Sequence, residues 1–262
     1  MRRFALYSDL HGNIEALDAV LADIAVAGVP ERYCLGDLVG YGPDPSAVIA
    51  RIRETGDVVI RGNYDDGVGH RAGQCGCYYA TPEAKADGEA SYAWTDAALD
   101  DAEHAYLAAL PDEHRIVADG VRILLAHGSP RKINEYLLPD RTDDFLARLA
   151  EGAEADVVCV GHVHMPYHRA VKLASGRIVH YISSGSVGKP KDGDPRAGWV
   201  EVLIGAPEEL DAAAPNDEAA ECAGAANVAI RVHRVAYDVD AVARRLVMAG
   251  LPARLAEALR NG

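Results

Sequence analysis

Short apolar runs recur along the chain, and each of the first three ends in a polar or glycine-rich cluster before a new element begins. Phe4-Ala5-Leu6-Tyr7 runs into Ser8-Asp9-Leu10-His11, after which Ile14, Leu17, Leu21 and Ile24 recur at the spacing of a helix face until Gly28. Tyr33-Cys34-Leu35 leads into a glycine-rich loop from Gly36 to Pro43, and Asp44-Pro45 opens a helix carrying Val48, Ile49 and Ile52. Val58-Val59-Ile60 again ends in polar residues. This βαβαβ order points to parallel strands, because a tight hairpin joins only antiparallel neighbours. Parallel strands gather their trailing loops at one edge, where such sheets place ligands.

Beyond residue 80 the pattern changes. Thr81-Pro82 to about Leu110 reads as two helices broken near Thr95-Asp96, with Thr95 as the cap of the second. Asp119-Gly120 joins Arg115–Asp119 to Val121–Ala126 as a hairpin, and Ala174-Ser175-Gly176 joins Tyr167–Leu173 to Arg177–Ser183 as another. Between them, Asp143–Ala150 reads as a helix and Val157–Val160 as a buried strand. Trp199–Ile204 and Val228–Tyr237 are two further strands, and 239–260 is a helical tail interrupted at Gly250-Leu251-Pro252. Residues 206–226 hold six acidic side chains, two prolines and no Lys or Arg, which predicts a flexible acidic Ala-rich hairpin excursion. With no internal repeat and no interdomain linker, 1–262 is expected to form a single domain.

The chain carries 26 Lys+Arg against 40 Asp+Glu, a formal charge of −14. That balance argues against nonspecific nucleic-acid binding and against an anionic membrane surface, both of which need clustered cations. Its N-terminal apolar stretch is cut short by Asp9, so neither a secretory signal nor a membrane span is expected, and the protein reads as cytoplasmic. Five cysteines, two of them in strand-like runs, fit buried thiols in a reducing compartment. Cys75-Gly76-Cys77 reads as a structural loop, because two thiols without partners make a poor metal site and this spacing disfavours an unstrained disulfide.

Five polar clusters each follow an expected strand: Asp9-x-His11, Gly36-Asp37, Gly62-Asn63-Tyr64-Asp65, His127-Gly128 and Gly161-His162-x-His164. Singly each has an ordinary explanation as a turn, a cap or a loop hydrogen-bonding pair. Jointly they bring carboxylate, imidazole and amide donors to one rim with no thiolate, a set suited to Mn, Fe, Zn, Ni or Mg. Seven ligands exceed one tetrahedral ion and suit two ions sharing a carboxylate.

In this order the clusters resemble the calcineurin-like metallophosphoesterase family, from residue 6 to about residue 190. The resemblance implies an α/β fold, a four-layer α/β/β/α sandwich with two mixed β-sheets, and a dinuclear centre for which Mn or Fe is favoured. It gives Asp9, His11 and His164 to one metal, Asn63, His127 and His162 to the other, and Asp37 to the bridge. Catalytic roles fall to Asp37, Asn63, Tyr64 and His127. The blocks Ser8-Asp9-Leu10-His11-Gly12-Asn13, Cys34–Pro43 and Gly185-Ser186-Val187-Gly188-Lys189-Pro190 are similar to the small prokaryotic phosphodiesterase branch often labelled diadenosine-tetraphosphatase-like. The expected reaction is hydrolysis of a small phosphodiester or phosphoanhydride, nucleotide-like or otherwise, by in-line attack of a metal-bridging hydroxide. A phosphomonoesterase, or a non-catalytic interaction platform on the same fold, is the alternative.

One position departs from the family pattern. Where the family usually has His after Gly-Asn, this chain has Tyr64, and a phenol is a poor proton relay at neutral pH. That favours leaving groups needing little protonation; Tyr64 could equally stack on a base or sugar, or pack. Asp65 is expected to orient Asn63 and Tyr41 to line the cleft; His70 is a candidate stand-in acid, and Arg61, Arg131, Lys132 and Lys189 are candidates for phosphate contact, most of them expected to be surface charges. His104, His114, His168, His180 and His233 read as surface or sheet residues.

Overall fold

In strand β1 (Arg2–Tyr7) the side chains alternate: Phe4 and Leu6 enter one apolar cluster, and Ala5 and Tyr7 enter another on the opposite face. That period-two division makes β1 the middle of a layered core. The structure is a computed structural model and describes residues 1–118, 120–206, 208–210 and 227–262. In the first sheet the order is β10 (Asn227–Val235), β9 (Ala197–Gly205), β1, β2 (Glu31–Cys34) and β3 (Val58–Val59). β1, β2 and β3 run parallel, while β9 is antiparallel to β1 and β10. The second sheet has the order β4 (Glu113–Ala118), β5 (Val121–Ala126), β6 (Val157–Val160), β8 (Ile178–Ser184) and β7 (Pro166–Lys172). Here β5, β6 and β8 are parallel, and β4 and β7 pair antiparallel at the edges.

Phe4, Leu6, Leu35 and Ile60 of the first sheet meet Ile123, Leu125, Val157 and Cys159 of the second in one buried cluster. On its outer face the first sheet packs Ala5 and Tyr7 against Leu17, Val20 and Ile24 of α1 (Ile14–Ala27) and Val48, Ile49 and Ile52 of α2 (Pro45–Thr55). Val158, Val160 and Tyr181 do the same for the second sheet, against Leu146, Leu149 and Ala150 of α6 (Asp143–Ala153). The layers are therefore helix, sheet, sheet, helix, as the resemblance implies. α1 starts where the Asn13 side chain accepts the Ala16 N–H at 3.1 Å, and it ends at left-handed Gly28.

Three readings of the sequence need correction. The break in the 81–110 helical region falls between α4 (Pro82–Ala98) and α5 (Asp101–Ala109), so Thr95 is a buried residue inside α4 and caps nothing. Asp100 is the cap, because Asp100 and Glu103 exchange backbone bonds of 2.8 and 2.9 Å in a reciprocal box that Thr95 lacks. The Asn63-Tyr64-Asp65 cluster is the first turn of a short helix, α3 (Asn63–Gly69). His104 is buried, bonded to Asp96 at 3.1 Å and to the Asp100 carbonyl, and is no surface residue. At the chain's end, α7 (Val239–Met248) and α8 (Ala253–Asn261) pack through Leu246, Leu251 and Leu255. Arg245 of α7 pairs with Glu15 and, at 2.7 Å, with Asp44. Most of the acidic 206–226 segment lies outside the described residues; within them, Glu209 pairs with the N-terminal amine at 3.2 Å. No helix among the described residues is long and apolar enough to cross a membrane.

Glu201 on β9 ties three strands together. It is 1% exposed and faces Arg3 of β1 at 2.6 Å and Arg231 of β10 at 3.1 Å, with His233 at 3.7 Å. Burial alone would raise its pKa, but the bonds from His233, Arg3 and Arg231 override it and lower the value from 4.5 to about 2. A depressed carboxylate pKa contributes stability that is present above the ordinary value and is lost as pH falls through the folded value. Glu201→Gln should therefore cost on the order of 3 kcal/mol at neutral pH. In denaturant titrations of both proteins the difference should shrink as pH drops below 4.5 toward 2; a difference constant over that range would exclude the ion cluster as its source.

Candidate metal centre

β1, β2, β3, β5 and β6 all deliver their carboxyl ends to the same edge of the sandwich, and Asp9, His11, Asp37, Asn63, His127, His162 and His164 meet there. All seven are buried. Two groups have ligand atoms close enough to share an ion: Asp9, His11 and His164 in one, and Asp37, His127 and His162 in the other. In the first, His11 Nε2 lies 3.2 Å from His164 Nε2, and Asp9 Oδ1 is 3.1 Å from His164 Nε2. In the second, His127 Nε2 is 3.4 Å from Asp37 Oδ2 and 3.1 Å from Asn63 Oδ1. Asp37 Oδ2 is also 3.7 Å from His11 Nε2, so one carboxylate oxygen faces both groups.

The backbone fixes which atoms point inward. His11 Nδ1 donates to the Val39 carbonyl at 3.0 Å, His127 Nδ1 to Leu35 at 2.6 Å, and His164 Nδ1 to Lys189, which turns each Nε2 toward the centre. Asp9 Oδ2 accepts the His162 N–H at 3.0 Å, while the buried Oδ1 has no hydrogen-bond donor and faces the His164 Nε2 lone pair at 3.1 Å. His162 Nε2 is likewise buried and unpartnered. A buried carboxylate oxygen and a buried imidazole nitrogen left without partners, in a set of oxygen and nitrogen donors, fit a divalent cation. Asn63 donates its amide to the Cys75 carbonyl at 2.9 Å and to Cys77 Sγ at 3.1 Å, which turns Oδ1 toward His127.

The rim is also conformationally costly. Asp9, His11, Asp37, His162 and His164 adopt left-handed φ of +46 to +64°. Each such non-glycine residue costs on the order of 1 kcal/mol, and such strain concentrates at functional sites. At Gly62 a Cβ would strike the Asp37 backbone nitrogen and Oδ1, so only glycine lets β3 approach the β2 exit this closely.

Electrostatics divides the imidazoles. Burial lowers His11 and His162 to about 3 and holds His164 well below its ordinary value, so these rings are neutral. At His127, burial acts in the same direction but the Asp37 charge overrides it and raises the pKa to about 9. Asp37 is correspondingly lowered: its burial is outweighed by His127, with His11 and His162 adding to the effect. A cation on His127 must displace that ring's proton, so occupancy there should weaken as pH falls.

Beside the rim lies a cavity of about 250 Å³ whose floor includes His11, Asp37, His162 and His164. Tyr41, Tyr64, Tyr78, Tyr79 and Tyr136 line it, together with Lys189, Lys191 and Arg254. Tyr41 packs edge-on to His11 with ring centres 4.9 Å apart, and Lys189 Nζ sits 4.6 Å from the Tyr41 ring centre. Burial and the neighbouring Lys191 bring the Lys189 amine down to about 7. Tyr64 is fully buried and its hydroxyl has no hydrogen-bond partner; burial pushes its pKa well up.

Other expected site residues fall elsewhere. Asp65 does not touch the Asn63 amide; it accepts the N–H groups of Asp37, Leu38 and Gly62 at 2.8, 2.8 and 3.0 Å, and so positions the Asp37 loop. His70 is exposed at the end of α3, 3.2 Å from Asp66, and does not line the cavity, so it cannot serve there as an acid. Arg61 donates to the Ala108 carbonyl and pairs with Asp66 and Asp112; Arg131 pairs with Glu135. With Lys132 these two arginines border a separate polar cavity reached by His127. Lys191, Tyr78, Tyr79, Tyr136 and Arg254 were not singled out by sequence reasoning. Lys189-Pro190-Lys191 and the Tyr78-Tyr79 doublet were the available signals, whereas Arg254 sits on a distant helix with none.

Residues 2–203 match the calcineurin-like phosphoesterase superfamily domain, and the chain belongs to that superfamily. An uncharacterised protein of Methanocaldococcus jannaschii is 30% identical over 270 residues, covering 98% of this chain and 97% of its own. The crystal structure of a metallophosphoesterase from Sphaerobacter thermophilus is 27% identical, with a TM-score of 0.69 and coverage of 99% of both chains. A hypothetical protein of Pyrococcus horikoshii OT3 shares the fold at 21% identity, with a TM-score of 0.76 and coverage of 99% and 98%. As a calcineurin-like phosphoesterase the chain is a hydrolase of a family implying divalent metals.

Asp37→Asn keeps an oxygen for the Tyr64 N–H, a 2.8 Å bond, but removes the charge facing both groups. The variant should fold and bind Mn²⁺ at least about 10-fold more weakly by equilibrium dialysis. Unchanged metal content and affinity would remove Asp37 from the centre.

Proposed function

We propose that this protein is a cytoplasmic, dinuclear metal-dependent phosphodiesterase or phosphoanhydride hydrolase acting on nucleotide-like or other small substrates. The observation that carries the reading is Tyr64, fully buried against His11 (ring centres 5.5 Å apart) in the wall of a tyrosine-lined cavity. Asp9, His11 and His164 would hold one cation; Asn63, His127 and His162 the other; Asp37 both. When bound, two divalent cations stabilise phosphoryl charge and make water nucleophilic at neutral pH. The similar Sphaerobacter protein, described as a metallophosphoesterase, supports the metal dependence.

The chain's own groups then decide which bond can break. Every imidazole lining the cavity is a candidate ligand, and the Tyr64 hydroxyl, with its pKa raised by burial, holds its proton at neutral pH. It can donate a hydrogen bond and cannot relay a proton. Leaving groups that depart as weak bases, a phosphate or an activated alcohol, need no such relay. Lys189 and Lys191 supply cationic contacts for further phosphate oxygens, while Arg254 is already paired with Asp87, and the cavity-lining tyrosines other than buried Tyr64 offer faces on which an aromatic base can stack, roughly 1–3 kcal/mol per base. Cavity-facing Tyr41 would fix such a base near His11.

After Mn²⁺ reconstitution, bis-p-nitrophenyl phosphate should be turned over faster than p-nitrophenyl phosphate. Tyr64→His, which restores a proton relay, should raise the monoester rate relative to the diester by about 10-fold or more. A strong monoester preference in the unaltered protein would overturn the reading and favour a phosphomonoesterase.

A further inference from the structure

Cys75 and Cys77, expected from their spacing to be a structural loop, stand side by side as free thiols. Their sulfurs lie 2.9 Å apart, within about 1 Å of a bonded separation. Gly76 between them makes this possible: its φ of +69° turns both thiols to one side, and the Asn134 amide clamps its carbonyl at 2.8 Å. Cys77 is half-buried and lines the active cavity, while both cysteines border an adjoining cavity of about 90 Å³. The pair also holds Asn63: its amide donates to the Cys75 carbonyl at 2.9 Å and to Cys77 Sγ at 3.1 Å, and its Oδ1 is 3.1 Å from His127 Nε2.

We propose that Cys75 and Cys77 form a peroxide-oxidisable dithiol whose closure to a disulfide releases Asn63 from its inward orientation. One sulfur of the pair attacks a peroxide oxygen; the O–O bond breaks, and an alcohol or water leaves with the thiol proton. The other sulfur then attacks the resulting sulfenic sulfur; the S–O bond breaks and water leaves with the second proton. Two thiols and one peroxide give one disulfide, one alcohol or water and one further water. Closing the short ring draws Cys77 Sγ off the Asn63 amide and displaces the Cys75 carbonyl, the amide's other acceptor. With both bonds disturbed together, Asn63 Oδ1 rotates off the His127 side. The effect on metal rests on the reading of Asn63 as a ligand; formation of the disulfide does not.

The test uses the full-length protein loaded with Mn²⁺ and treated with an equivalent of hydrogen peroxide. Intact mass should fall by about 2 Da, with peptide mapping linking Cys75 to Cys77. Bound Mn²⁺ and turnover should each fall about 10-fold or more, and both should return on adding dithiothreitol and Mn²⁺. Cys75→Ser, which leaves the backbone carbonyl and Cys77 in place, should bind metal before treatment and show neither the linkage nor the reversible loss. Oxidation without a Cys75–Cys77 linkage would overturn the dithiol. A linkage that leaves bound Mn²⁺ unchanged would overturn the coupling to Asn63. Protein that binds no Mn²⁺ before treatment would refute the ligand reading, and the mass measurement would still decide the dithiol.

Discussion

The rim depends on one buried carboxylate that touches none of the ligand side chains. Asp65, with no exposed surface, accepts backbone N–H groups from Asp37, Leu38 and Gly62 at 2.8–3.0 Å. It thereby joins the loop leaving β2 to the first turn of α3 leaving β3. Burial and the Asp37 charge raise its pKa to about 7, so the three donors hold a group that its surroundings would rather protonate. The arrangement closes only because Gly62 has no side chain to strike Asp37. Remove that junction and Asp37 and Asn63, carried by the segments that leave adjacent strands, are no longer held side by side.

What the junction holds is unfavourable by itself. Four imidazoles and two carboxylates are buried together, five of these residues in left-handed conformations, and two polar atoms have no partner. A core of these elements needs none of it: the clusters between the sheets and beneath α1, α2 and α6 are apolar. The strain and the unpaired atoms are confined to one edge, where a local rule is broken and the rest of the fold stabilises the exception. A bound cation would answer the unpaired Asp9 oxygen and His162 nitrogen together, and backbone carbonyls already hold three of the rings with Nε2 facing inward.

Features set by local physics could be read from the sequence. Apolar runs gave the parallel strands, and the two hairpin turns were marked by Gly120 and Gly176, whose φ values are +81 and +85°. Polar residues at strand ends named the rim, because parallel strands carry their trailing clusters to one edge and that placement needs no distant contact to interpret. Features set by tertiary contact could not be read. Asp65 was expected to orient Asn63, its sequence neighbour, whereas its partners lie mostly on another strand's loop. His70 was expected beside Tyr64, but α3 turns it to solvent and Asp66. Thr95 had the chemistry of a cap without the reciprocal partner that Asp100 finds in Glu103.

Charge is where sequence and structure pull hardest against each other. A chain of −14 is a poor vessel for a phosphate ester if the charge is taken as uniform. It is not uniform: six acidic residues fall in 206–226, and many others are engaged by arginines, as Asp87 is by Arg254 and Asp156 by Arg122 and Arg177. Toward the cavity, Lys189 and Lys191 face the rim, and Lys189 has given up enough hydration that its amine is brought near 7. A desolvated ammonium gains more from an incoming anion than a hydrated surface lysine does. Two divalent cations beside it would reverse the sign of the rim's field without altering the residue count. Net charge thus constrains what this protein attracts at long range, and the buried edge of the sandwich decides what it holds.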